Sequence, residues 1–188
     1  MRTFIAVELP DNIRRTIAGY IELLRGVIPQ VKWVAPENLH LTMKFLGEVP
    51  EKRLDSIKEC ASQVVEGFSP FTVELEHVGF FPNSHHPQVI WIGSSDGVDQ
   101  LLELYQKFED CLESSGFDRD AKTFSPHLTV GQVKRHARVT IPPGIPEFEG
   151  ETFEVNGISV IMSTLTPQGP LYTTLLEAPF AQHTYQNR

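Results

Sequence analysis

The chain has 188 residues, 40% of them hydrophobic and 21% charged, which suits one substantial core or two small lobes sharing one. Its net charge of -8 and pI near 5.3 argue against broad, non-specific attraction to a nucleic-acid backbone, though not against one small phosphate pocket. No stretch approaches the roughly 18 to 20 apolar residues of a membrane span, and Glu8 and Pro10 interrupt the opening apolar run too soon for a signal peptide. These features lead us to expect a cytoplasmic protein that makes no membrane contact and is a monomer.

In chain order, Phe4 to Glu8 reads as a short strand, followed by a helix with Ile13, Ile17, Tyr20, Ile21 and Leu24 at three- and four-residue intervals. Pro10-Asp11 starts that helix and Gly26 ends it. Val31 to Val34 is extended, and His40 to Leu46 is a strand closed by Gly47. A second helix carries Leu54, Ile57, Ala61, Val64 and Val65 on one stripe, and Phe71 to Val78 alternates as a strand. Gln88 to Ile92 is a further strand, and Gly97 to Leu112 a helix with Val98, Leu101, Leu102, Tyr105, Phe108 and Leu112. His127 to Val133 is a strand, and Thr140 to Gly150 an irregular, proline-rich loop. Phe153 to Leu165 reads as one long strand bent at Gly157, and Pro167 to Pro170 turns it into Leu171 to Leu176 as a hairpin. A frayed tail is expected from Ala181.

The order of elements repeats. Phe4 precedes His40 by 36 residues, and Val89 precedes His127 by 38. Phe71-Thr72-Val73 follows the first histidine segment as Phe153-Glu154-Val155 follows the second. The expected architecture is α+β: one domain over 1–188, made of two intertwined pseudo-twofold lobes, with antiparallel sheets facing a central groove and helices outside. Cys60 and Cys111 fall in helical segments with no histidine nearby in sequence, and read as buried thiols rather than a bridge or a nucleophile.

The repeat contains His40-Leu41-Thr42-Met43 and His127-Leu128-Thr129-Val130. Strand side chains alternate, so His40, Thr42 and Lys44 should share one face, with Leu41, Met43 and Phe45 on the core face. His127 and Thr129 should likewise oppose Leu128 and Val130. If the polar faces meet, two imidazoles and two hydroxyls share a groove suited to opening a cyclic phosphodiester. One imidazole takes a proton from water, the other gives one to the leaving oxygen, and the hydroxyls donate to the non-bridging oxygens. No metal or cofactor is called for, because two histidines with no neighbouring HxH or carboxylate set fall short of a zinc site. His77, His85, His86, His136 and His183 lack a repeated context, although His136 lies close to the second motif.

At these residues the chain resembles the two-histidine phosphoesterase superfamily, within it most of all the bacterial and archaeal RNA 2',3'-cyclic phosphodiesterases, also called the 2'-5' RNA ligase family. The resemblance extends over Phe4-Ile5-Ala6-Val7, Trp33-Val34, Glu37-Asn38-Leu39, Lys44-Phe45-Leu46-Gly47, Val78 to Pro82, Val89-Ile90-Trp91, Phe124-Ser125-Pro126 and Ser163 to Tyr172. It implies hydrolysis of a terminal 2',3'-cyclic phosphate to a 2'-phosphate, with His127 as proton acceptor, His40 as proton donor, and a reversible 2'-5' ligation as a secondary activity. The pseudo-symmetry makes the opposite assignment chemically sensible too. Family members often carry an arginine five residues after the second histidine; here Gln132 stands there, without charge or guanidinium fork. Lys44, Lys134 or Arg135 could compensate, and Trp33, Phe124 and Tyr172 could stack on a terminal base. The expected partners are RNA 3' ends or small cyclic nucleotides. Rival readings are a phosphodiesterase for another small cyclic or 2',5'-linked nucleotide, such as ADP-ribose 1'',2''-cyclic phosphate, and a non-catalytic RNA- or nucleotide-binding module.

Overall fold

A computed structural model describes residues 1–167 and 169–181. Nine strands and three α-helices follow one another along them: β1 (Arg2–Glu8), α1 (Asp11–Val27), β2 (Val31–Trp33), β3 (His40–Glu48), α2 (Leu54–Glu66), β4 (Phe71–Phe81), β5 (Val89–Asp96), α3 (Val98–Ser114), β6 (His127–Val133), β7 (Glu151–Val155), β8 (Gly157–Thr166) and β9 (Gly169–Pro179). The expected frayed tail, apart from Ala181, and His183 lie outside the described residues. The helices form where the apolar spacing places them. Ile13, Ile17, Tyr20, Ile21 and Leu24 are the buried stripe of α1. In α3 the stripe runs through Leu101, Leu104, Tyr105, Phe108 and Leu112, leaving Leu102 exposed. None of the described helices is long and apolar enough to cross a membrane.

The strands form two antiparallel sheets, in the orders β3-β1-β8-β9 and β2-β6-β5-β4-β7. Each histidine strand pairs with the strand that opens its own half of the chain: β3 with β1, and β6 with β5. The next long strand then crosses over. β4 follows the first motif but lies beside β5, and β8 follows the second but lies beside β1. This exchange corrects two expectations. Phe71 to Val73 and Phe153 to Val155 are not equivalent copies but partners in one ladder, Phe71 opposite Val155 and Val73 opposite Phe153. Phe153 to Leu165 is not one bent strand either. It breaks at Asn156, so that β7 stays in the second sheet while β8 enters the first. Gly157 begins β8 where a Cβ would overlap the Ala178 carbonyl, so the chain can make this exchange only with a bare backbone.

The third difference is finer and decides the site. Along β1 and β3, Ile5 pairs with Lys44 but the next residue, Ala6, pairs with Thr42, leaving Met43 as an extra residue. Along β5 and β6, Ile90 pairs with Gly131 and Trp91 with Thr129, leaving Val130 extra. Both are β-bulges, at the same place in the two motifs, and each inverts the alternation beyond it. Two neighbours are therefore buried in succession on each strand, Met43 with Lys44 and Val130 with Gly131. The side chains after them, Phe45 and Gln132, return to the groove side.

Cys60 of α2 and Cys111 of α3 are joined as a disulfide, their Cα atoms 5.9 Å apart, which is within the usual reach of a bridge. The expectation of separate thiols is corrected by helix packing, which brings together positions that lie far apart in sequence.

The second bulge also generates a prediction. A Cβ on Gly131 would lie 2.6 Å from Val31 Cγ1 and 2.8 Å from Trp33 Cε3. Gly131→Ala should therefore cost about 1–3 kcal/mol by overpacking. Gly19→Ala, in the interior of α1 where nothing lies within 4 Å, should instead stabilise by about 0.5–1 kcal/mol. Urea midpoints of the two variants check the opposite signs.

Candidate active site

The two histidines are held alike. His40 Nδ1 lies 2.7 Å from the Asn38 carbonyl, and His127 Nδ1 lies 2.7 Å from the Ser125 carbonyl. A carbonyl only accepts, so each Nδ1 carries the hydrogen. In the neutral ring Nε2 is then left with its lone pair for chemistry. The repeat thus sets one tautomer twice, using the backbone two residues upstream each time.

Their surroundings differ. His40 stacks on Phe4, ring centroids 4.8 Å apart at 28°, and meets the edge of Tyr172 at 5.3 Å. Ala6, opposite Thr42, packs in one small cluster with Phe4, Ile161 and Tyr172. Burial lowers the His40 pKa from 6.5 to about 4; the Asn38 hydrogen bond and Glu8 pull the other way, and Arg14 adds to the lowering. His127 meets Phe81 edge-on at 5.2 Å and Trp91 at 6.2 Å, while Phe81 and Trp91 stack on each other at 4.9 Å. Trp91 lies against Gly79, where a Cβ would overlap the indole.

Two cavities border these residues, although His40 itself lines neither. One, of about 490 Å³, is lined by Thr42, Thr129 and His127 together with Phe45, Lys122 and Phe124. The other, of about 470 Å³, includes Lys32, Trp33, Asn38, Gln132, Leu171 and Tyr172. The fold therefore assembles Thr42, Thr129 and His127 around one cavity. Tyr172, which touches His40, lines the other. Trp33 and Gln132 line the same cavity as Tyr172.

Lys44 is not placed as expected. The bulge at Met43 turns its side chain inward, 2% exposed and paired with Glu109 and Asp120, although the residue still borders the first cavity. The same inversion corrects Phe45, which is 67% exposed on the cavity wall instead of packed in the core. Lys134 also departs from expectation. Its Nζ reaches the Pro29 carbonyl at 3.5 Å, and neither it nor Arg135 is among the residues lining either cavity. Phe124 lines the first cavity, but one of its faces is taken by Tyr105, stacked at 4.3 Å and 9°. Sequence reasoning missed Phe45, Phe81, Trp91 and Lys122. Trp91 could have been found from its place in the strand before the second motif, opposite Thr129. Among the described residues no group of three or more His, Cys, Asp or Glu is arranged to hold a metal ion.

Comparison with known proteins agrees with this duplicated arrangement. The family described as LigT like phosphoesterase matches two successive stretches, residues 7–91 and 92–172. An RNA 2',3'-cyclic phosphodiesterase of Archaeoglobus fulgidus is 42% identical over 178 residues, covering 93% of this chain and 98% of the relative. Among solved structures, TT0787 of Thermus thermophilus superposes with a TM-score of 0.82 at 30% identity, over 96% of this chain and 98% of that one. E. coli LigT complexed with 3'-AMP superposes with a TM-score of 0.79 at 27% identity, over the same shares. With both histidine motifs on equivalent strands and the match running through both halves, the chain belongs to the LigT-like phosphoesterase family.

Proposed function

We propose that this chain hydrolyses RNA-terminal 2',3'-cyclic phosphate to a 2'-phosphomonoester, by acid-base catalysis that uses no metal. The observation that carries the proposal is the matched pair of Nδ1-anchored imidazoles on strands whose Thr42 and Thr129 line one cavity with His127. The names of the relatives, and the 3'-AMP complexed with E. coli LigT, support a nucleotide as substrate.

In the proposed reaction His127 Nε2 takes a proton from water as its oxygen attacks phosphorus. The bond from phosphorus to the 3'-oxygen breaks, and His40 Nε2–H supplies that oxygen with its proton. His127 leaves the step protonated and His40 neutral; exchange with solvent restores both. The threonine hydroxyls donate to the non-bridging oxygens as charge moves onto them. Since burial favours neutral His40, the donor role requires the anionic phosphate to draw a proton onto it. The same observation favours a second reading, in which His40 is the base and His127 the acid. Phe45 joins the substrate contacts as a stacking surface for the terminal base, touched by Phe4 at 5.9 Å and otherwise open. Trp33, Gln132 and Tyr172 contact the substrate from the second cavity, with Lys32 as a nearby cation in place of the family's usual arginine.

RNA oligomers ending in 2',3'-cyclic phosphate, assayed with chelator present, should give a 2'-phosphate. His40→Ala and His127→Ala should each lose about 10²–10⁴-fold in kcat while keeping the native circular dichroism. A 3'-phosphate product would reverse the leaving-group assignment, and full activity in both variants would remove the histidines from the mechanism.

The direction of proton flow has its own test. A phosphodiester with a p-nitrophenolate leaving group needs no acid, so it should restore activity to the variant lacking the donor alone. Restoration in His40→Ala supports His40 as donor, and restoration in His127→Ala supports the reverse. Under either direction the acid limb of kcat/KM should fall near pH 4, where His40 takes up its proton in the free enzyme. A pH-rate profile measures it.

A further inference from the structure

We propose that Lys44 is a positioning residue, reaching from the first motif strand to fix the segment whose carbonyl holds His127. The inference rests on the reading of His127 as a catalytic group, and it starts from the bulge that turns Lys44 inward. There its ammonium meets three oxygens from two parts of the chain. It pairs with the Glu109 carboxylate on α3, and it donates to the Asp118 carbonyl at 3.1 Å and to Asp120 Oδ1 at 3.2 Å. An ammonium has three N–H donors, so the set is complete.

The partners hold one another as well. Glu109 Oε2 accepts the Asp120 backbone N–H at 2.9 Å. Tyr105 Oη donates to Asp120 Oδ2 at 3.3 Å, and its ring lies flat on Phe124. Residues 118–126 contain no helix or strand. They are nevertheless fixed at one end by charge and at the other by an aromatic stack. The next carbonyl, that of Ser125, receives the His127 Nδ1–H, and Asp120 to Ser125 line the cavity beside both threonines. A buried lysine–carboxylate pair is weak evidence for stability, because desolvation offsets most of its attraction. What such a pair supplies here is geometry, since three acceptors must converge on one nitrogen.

The clamp also breaks the twofold symmetry. The position equivalent to Lys44 in the second motif strand is Gly131, which has no side chain to reach with. On the His40 side the corresponding carbonyl belongs to Asn38, whose own Nδ2 donates to the Pro170 carbonyl at 3.1 Å. His40 is therefore referenced to the β8–β9 hairpin, and His127 to the strand that carries His40.

Lys44→Met/Glu109→Gln tests this, because it removes both charges and leaves a side-chain oxygen for the Asp120 N–H. In nitrogen-resolved NMR spectra of the free protein, His127 should pass from one Nδ1–H tautomer to a mixture, while His40 keeps its own. With cyclic-phosphate RNA, kcat should fall at least tenfold while the melting transition stays cooperative. A folded double variant with an unchanged His127 tautomer and unchanged kcat would overturn the proposal, as would an equal change at both histidines. If the double variant does not fold, Tyr105→Phe decides, since it removes one anchor without burying a charge. A smaller shift of the same kind at His127 supports the clamp, and none overturns it. The tautomer readout does not depend on turnover, so a failure of the hydrolysis reading would be told apart from a failure of the clamp.

Discussion

The extra residue that directly follows each His-x-Thr motif governs which side chains reach the groove. Without the bulges at Met43 and Val130, strict alternation would send Lys44 into the groove and Phe45 into the core. With them, each strand presents histidine and threonine, buries two neighbours in succession, and then presents Phe45 or Gln132. A bulge breaks the ladder locally and leaves a backbone position unpaired. Here the buried residue after each bulge has a firm partner: the acidic groups around Lys44 in one lobe, and the rings and branches of Trp33 and Val31 against Gly131 in the other.

The two lobes begin from one plan and diverge where the side chains differ. Both histidines owe their tautomer to a carbonyl two residues upstream, and both lean on aromatic rings. Phe4 and Tyr172 enclose His40 and penalise its charged form, whereas the rings beside His127 meet it edge-on. Two histidines anchored by the same backbone device thereby sit in different surroundings, His40 under the Phe4 ring and His127 beside the edges of Phe81 and Trp91.

Much of this could be read from residues in order. The stripe Ile13, Ile17, Tyr20, Ile21 and Leu24 marked α1 because a helix must bury one face, and the span of β6 followed from its pattern and flanking turns. The His-x-Thr spacing put both groups on one strand face, since the bulge comes only afterwards. What could not be read depends on partners distant in sequence. A bulge is a mismatch between two strands, and the sequence of β3 alone does not say where β1 skips a residue. The exchange of β4 and β8 is invisible for the same reason, because Phe71 to Val73 and Phe153 to Val155 look alike whether they are copies or neighbours. Lys44 was misread because its acceptors, Glu109 and Asp120, lie far along the chain in a helix and an irregular segment. The Cys60–Cys111 contact was missed because it depends on how α2 meets α3.

The crossing of β4 and β8 has a consequence for the order in which the molecule can be built. β1, synthesised before every other strand described, sits in the interior of its sheet, between β3 and a strand that begins only at Gly157. Until that strand emerges, the edge of β1 has no partner, and Phe4 lacks both Ile161 beside it and the Tyr172 ring that helps to enclose His40. A nascent chain that already contains both histidines thus has one sheet unfinished and its groove unformed. Such long-range closure is slow compared with helix formation, and the exposed edge is a hazard for as long as it lasts. The surroundings of His40 are therefore among the last features of this fold to come into being, although the residue itself precedes most of the strands.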